Sequence, residues 1–174
     1  MPIFVDQSIV GENYRRLVEF AFAHSDAAMT VFETSGYGRE SDAKIMETRA
    51  LLSPYLLESR NNSECTPEHP EFEWPGTCIG YLDPLDPAAV FYHEDMRIYA
   101  DTYELTDFVK DYILSVDGFF HWTIRYGNPE DISFFKDGRC WLFTTSHENY
   151  LCFLDHTEEI REMLDEMKIE YSVY

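Results

Sequence analysis

Basic residues are scarce in this chain. Against 33 Asp and Glu stand only 13 Lys and Arg, so 174 residues carry a formal net charge of -20. The shortage of cations speaks against bare nucleic acid as a partner, because phosphates are neutralised by Lys and Arg. Cysteine is sparse too. Four in a chain of this size do not make a disulfide scaffold, and in a reducing compartment they stand as thiols or ligands. No apolar run approaches the roughly 18–20 residues that span a bilayer. The first residues lack the basic start and apolar stretch of a signal peptide. The expected location is cytoplasmic, with no membrane partner. A phosphate-cradling loop is missing: Gly36-Tyr37-Gly38 has neither a third Gly nor a Lys in place.

What is present is a core. Apolar residues make up 45% and aromatics 16%, which separates this chain from a disordered acidic tail. The length fits one domain, residues 1–174. The excess of acid is itself informative. It far exceeds the roughly 2–8 charges that keep a small domain soluble, and its self-repulsion works against the compact state.

The clearest local pattern lies in the C-terminal third. Two apolar runs, 132–136 and 139–145, are separated by Asp137-Gly138, a strong signal for a tight hairpin. A second hairpin runs through 146–149 into 150–155. Ile160, Met163, Leu164 and Met167 then share one helical face, with Thr157 as N-cap and Glu158 and Glu159 at the positive end of the helix dipole. A final strand closes a β-β-β-α-β unit. Pairing 136 with 139 and 145 with 150 sorts the side chains by the strand period of two. Ile132, Phe134, Trp141, Phe143, Cys152 and Leu154 are expected on one face, and Phe135, Cys140, Leu142, Leu151 and Phe153 on the other. Both faces are apolar, so the sheet should be covered on both sides. One face against a second copy of the chain is a possible cover, which makes a homodimer an open reading.

Further upstream, 119–126 alternates and predicts a half-exposed strand. Tyr14, Leu17, Val18 and Ala21 predict an amphipathic helix over 11–23. Residues 29–34 predict a strand, and 41–53 a helix whose buried side includes Arg49, which would have to snorkel or pair. Leu105, Phe108, Val109, Tyr112 and Ile113 predict a further helix, and 88–100 reads as strands. Residues 60–87 hold five prolines and no period, and read as a long Pro-rich loop. The fold class is therefore α+β, a mainly antiparallel sheet with packed helices.

Candidate chemistry is thin. Cys65, His69, Cys78 and His93 are the right residue types for zinc, but Cys-x3-His-x8-Cys matches no tight zinc knuckle, and two unrelated thiols and one exposed His in a loop are the plainer reading. Cys140 is a candidate nucleophile only if a base or positive charge lies beside it. Acidic and aromatic neighbours, with Asp155 opposite, raise a thiol pKa instead, and a small core residue is the plainer reading. His147-Glu148 and His93-Glu94 lack the second His four residues on, where Leu151 and Arg97 stand. No catalytic residue and no cofactor is assigned.

The acidic surface carries more. Glu158, Glu162 and Glu166 form one ridge at i, i+4 spacing, and Glu71 and Glu73 interleave with Phe72 and Trp74. Rings among acids suit recognition of a basic protein, where charge steers and rings anchor. The plain alternative is a solvated, solubility-driven surface. The expected function is that of an acidic, non-enzymatic binding protein for a basic protein partner. Its size and charge are those of an immunity protein or antitoxin, an analogy that no residue motif supports. The rival is a small enzyme or ligand-binding domain with a pocket under the 60–87 loop, using His69, His93 or His121 beside carboxylates.

Overall fold

The computed structural model describes residues 1–34, 40–61, 71–74, 77–83, 86–90, 97–155 and 157–174, and for 40–41, 71–74, 77–83 and 86–90 it describes the backbone alone. In chain order the elements are β1 (Ile3–Val5), α1 (Gly11–Ala23), β2 (Ala27–Thr34), α2 (Glu40–Leu52), β3 (Leu56–Asn61), β4 (Glu71–Trp74), β5 (Thr77–Asp83), β6 (Asp86–Val90), β7 (Arg97–Glu104), α3 (Asp107–Leu114), β8 (Glu130–Lys136), β9 (Arg139–Thr145), β10 (Tyr150–Phe153), α4 (Glu158–Glu166) and β11 (Ser172–Val173). Eight strands form one sheet in the order β11-β1-β10-β9-β8-β2-β7-β3. Every neighbouring pair in it is antiparallel. β4, β5 and β6 form a separate three-stranded sheet. The α+β class and the C-terminal β-β-β-α-β unit are as expected. No helix among the described residues is long and apolar enough to cross a membrane.

The helices share one face of the large sheet. Leu17, Val18 and Ala21 of α1, Ile45 and Leu52 of α2, Val109 and Ile113 of α3, and Ile160 and Leu164 of α4 join one core with Ile3, Val5, Phe134, Leu142 and Phe153. Local chemistry fixes the helix starts. Thr106 accepts from the Val109 N–H at 3.3 Å, and Thr157 accepts from the Ile160 N–H at 3.2 Å. Each cap contributes about 1 kcal/mol. Tyr14 ties the layers together. Its hydroxyl donates to the Ile113 carbonyl at 2.7 Å and accepts from Trp122 Nε1 at 3.2 Å. The opposite face of the sheet is also buried, at Met29, Val31, Ile98, Ala100, Ser133, Phe143 and Cys152.

The β8–β9 turn uses left-handed backbone at Asp137 (φ 51°) and Gly138 (φ 72°), as a two-residue hairpin loop requires. Asp26, just before β2, clamps it, accepting from Lys136 Nζ at 2.7 Å and from the Asp137 N–H at 2.8 Å.

Three expectations need correction. The first is side-chain sorting in the β8–β9–β10 sheet. The ends pair as expected, Lys136 with Arg139 and Thr145 with Tyr150. Between Phe134 and Phe135, however, the register shifts, because Phe135 faces Cys140 while Phe134 faces Leu142. Trp141 is the additional residue of a bulge, and a bulge re-aims every side chain beyond it. Phe134, Leu142 and Phe153 therefore share the helix-covered face, whereas Phe143 and Cys152 lie on the other. Cys140 and Cys152 fall on the same face, not on opposite ones, and both are free thiols. The second correction is 119–126, which forms two short 3₁₀ turns, Phe119–His121 and Ile124–Tyr126, in place of a strand. Consecutive Phe119 and Phe120 and consecutive Trp122 and Thr123 are buried, which a half-exposed strand does not allow. The third is the 60–87 stretch. It holds the end of β3, all of β4 and β5 and the start of β6.

Candidate functional site

Two carboxylate-rich places stand out among the described residues. The first is the outer face of α1 and α4. Arg16 meets Glu166 at 3.1 Å, Asn13 Nδ2 donates to the Met167 carbonyl at 3.1 Å, and His24 meets Glu159 at 3.3 Å. Rising numbers in α1 thus match falling numbers in α4, and the helices lie antiparallel. Glu12, Glu19, Glu158, Glu159, Glu162, Asp165 and Glu166 are all exposed on them. The predicted ridge of Glu158, Glu162 and Glu166 is therefore on the solvent side. Its ends are partly neutralised within the chain, since Arg161 reaches Glu158 at 3.9 Å and Arg16 reaches Glu166. Exposed pairs of this kind contribute about 0–1 kcal/mol.

Where α1 ends and α4 begins, a cleft of about 170 Å³ opens, lined by Phe20, His24, Lys136, Trp141, Asp155 and Glu159 among others. Its floor is aromatic. Phe20 stacks on the His24 ring at 4.1 Å and meets Trp141 edge-on at 6.1 Å. Trp141 is anchored by Nε1 donating to Ser25 Oγ at 2.9 Å. The cleft is smaller than the roughly 300–1,000 Å³ of pockets that bury a drug-sized ligand. It has room for one long side chain.

The second place is the end of the sheet where β2, β8 and the β9–β10 connection meet. The β2–β8 register shifts between Thr30, which faces Ile132, and Val31, which faces Glu130. Asp131 is the additional residue, with φ 55° and 1% of its surface exposed. A non-glycine residue in the left-handed region is strained, and it persists only where the surroundings over-determine it. They do so here. The Asp131 N–H donates to the Trp122 carbonyl at 2.9 Å, Thr30 Oγ1 donates to the Asp131 carbonyl at 2.6 Å, and Asp131 Oδ1 accepts from the Ser146 N–H at 2.6 Å. Thr144 bridges the gap in the ladder, accepting from the Ile132 N–H at 2.8 Å and donating to its carbonyl at 3.2 Å.

Around this bulge sit Glu33, Glu130 and His147. One ligand atom each from Glu130, Asp131 and His147 lie within 4.8 Å of one another. Glu130 Oε1 accepts from Thr123 Oγ1 at 2.7 Å and from the Ile124 N–H at 2.8 Å. Its other oxygen, Oε2, is buried and has no hydrogen-bond partner among the described residues. Burial, then the Asp131 charge, holds the Glu130 carboxyl above the ordinary glutamate value against its two hydrogen bonds and His147. Glu33 is raised too, by burial first and then by the charges of Glu130 and Asp42, with His147 pulling the other way.

A third buried acid is fully satisfied. Asp101 on β7 receives Arg49 Nε at 2.6 Å and Nη2 at 3.3 Å, Ser59 Oγ at 2.6 Å and the Tyr103 hydroxyl at 3.1 Å. Arg49, read from the sequence as a cation on an apolar helix face, pairs here, with its guanidinium 3.8 Å above the Tyr99 ring.

The remaining sequence candidates divide simply. Cys65, His69 and His93 lie outside the described residues, and so do the side chains of Cys78, Glu71, Phe72, Glu73 and Trp74. Cys140 faces Phe135, and burial pushes its thiol up to about 12, with Cys152 and Asp155 adding to the rise. A thiol so raised is a poor nucleophile. His121 packs edge-on against Tyr126 at 4.5 Å, with a buried Nδ1 that has no partner among the described residues. His147 sits on the 3₁₀ turn Ser146–Glu148, not on a helix. Sequence reasoning missed its partners Glu33, Glu130 and Asp131. The only signal was two adjacent acids opening an otherwise apolar strand. No protein-family model, curated protein or solved structure matches this chain.

Proposed function

We propose that this chain is an acidic binding protein that engages a basic protein partner along the outer face of α1 and α4. The carrying observation is the antiparallel helix pair, which presents seven exposed carboxylates and ends in an aromatic-floored cleft rimmed by Asp155 and Glu159. The carboxylates steer a cationic surface toward the face. The cleft accepts the aliphatic stem of one Lys or Arg against Phe20 and Trp141, with the charged head left at the acidic rim. The aromatic and acidic segment Glu71–Trp74 is a second contact in this reading. Competition for the cationic surface of a nuclease-like toxin is the immunity-type role that such a face would serve.

The experiment is a pull-down from host lysate across a salt ladder, with the wild type beside a Glu162→Lys/Glu166→Lys variant. A basic protein held by the wild type at low salt, released at high salt and lost to the variant supports the reading. Equal retention by both proteins removes the α4 ridge from it. The rival, a small-molecule site, would need a cavity with convergent His and carboxylates, and the polar, open groove of about 330 Å³ at Gly11, Glu12, Arg15 and Asp117 is lined by no His.

A further inference from the structure

We infer that Glu130, Asp131 and His147, with Glu33 beside them, form a binding site for a divalent transition metal of the manganese-to-zinc series. The inference is independent of the α1–α4 face. Three observations converge on it. The donor atoms of Glu130, Asp131 and His147 lie within 4.8 Å of one another. Tetrahedral ligands about 2.0–2.2 Å from an ion stand about 3.3–3.6 Å apart, so side-chain adjustment of up to about 1 Å or slightly more closes the set. Next, Glu130 Oε2 is buried without a hydrogen-bond partner among the described residues, while its twin Oε1 has two. A buried polar atom left alone beside a fully bonded one needs a reason, and a water or an ion held there is one. Last, the backbone that presents these groups is built with care. Asp131 is held in a strained bulge by Thr30, Trp122 and Ser146, and bulges recur beside functional sites because they re-aim a side chain.

The chemistry of the set chooses the ion. Carboxylate oxygens alone would suit magnesium, calcium or manganese, whereas an imidazole draws the preference toward zinc and iron. One imidazole among carboxylates therefore selects manganese, iron(II) or zinc over calcium. Glu130 and Asp131 adjacent on β8, His147 on the β9–β10 turn and Glu33 nearby on β2 give a site open on one side, since His147 and Glu148 are exposed.

The test is a titration of the untagged protein with Mn2+, followed by electron paramagnetic resonance of the free ion, and with Zn2+ as competitor. Both run in about 0.15 M salt with excess Mg2+, which screens diffuse attraction to so acidic a chain. One equivalent of Mn2+ should bind and be displaced by Zn2+. Glu130→Gln and His147→Ala should each weaken it at least tenfold, whereas Glu162→Gln/Glu166→Gln on the remote ridge should leave it unchanged. His147→Ala alters an exposed turn, so its fold is safe even if Glu130→Gln should disturb the bulge. No stoichiometric binding, or equal losses in the ridge variant and in Glu130→Gln, overturns the site.

Discussion

Asp101 and Glu130 stand on β7 and β8, the two strands that flank β2, and both are drawn away from water. Their surroundings treat them oppositely. Asp101 receives donors on both oxygens, a guanidinium in fork geometry among them, so its charge is matched where it lies. Glu130 is matched on one oxygen and stranded on the other, next to Asp131 and near Glu33. The first acid braces α2 and β3 against the sheet. The second holds the Ile124–Tyr126 turn with one oxygen and leaves the other unbonded. Full satisfaction fits a structural acid, and a half-satisfied acid breaks a local rule of the kind that functional or strained sites break.

Mutation can break this contrast. Asp101→Ala should cost about 3–5 kcal/mol, because it strands the half-buried Arg49 and leaves the Tyr103 hydroxyl without its acceptor. Urea denaturation would read it, and a loss below about 1 kcal/mol would show the network to be ornamental. Glu130→Gln should act in the opposite direction. The amide keeps the Oε1 bonds to Thr123 and Ile124 while removing a charge beside Asp131 and Glu33, so metal-free protein should gain stability at neutral pH. A clear loss of stability would make Glu130 a brace like Asp101. Ser59→Ala sharpens the contrast from the other side. Water reaches this exposed residue and replaces its bond to Asp101, so the expected loss is only about 0.5–1 kcal/mol.

The smallest effect belongs to an acid in the open. The Asp137 N–H and then Lys136 hold the Asp26 carboxyl below its ordinary value. A group depressed in the folded state favours folding above its unfolded pKa, and that help is lost as pH falls through the folded value. Wild type should therefore lose slightly more stability than Asp26→Asn between neutral pH and the acid side of the ordinary aspartate range. Parallel pH profiles for the two proteins would refute the clamp.

The same contrast separates what the sequence disclosed from what it hid. Arg49 announced its need of a partner by standing on an apolar helix face, and Asp101 is that partner. Asp137-Gly138 announced the hairpin, and Thr157 announced the start of α4. The bulges at Trp141 and Asp131 left no comparable mark. A bulge is a decision of pairing between strands, and the alternation within one strand does not record it. Missing the first mis-sorted Phe143, Cys152 and Leu142. Missing the second hid the juxtaposition of Glu130 and Asp131 with His147, whose isolation from any second helical His had dismissed it on local spacing. Residues 119–126 misled for a related reason, because alternating character imitates a strand while the backbone turns, with Thr123 Oγ1 accepting from the Arg125 N–H and Asn128 Nδ2 donating to the His121 carbonyl.

Tyr14 holding Trp122 in the core, and Ser25 holding Trp141 at the mouth of the cleft, give the protein two built-in optical probes at different depths. Trp122 has 1% of its surface exposed, and its emission follows the integrity of the packed layers. Trp141 lies beside the carboxylates of Asp155 and Glu159, so a cation seated there changes the field on its indole. In a background of Trp74→Phe and Trp122→Phe, Trp141 becomes a single-site reporter, and occupancy of the cleft can be followed without any label.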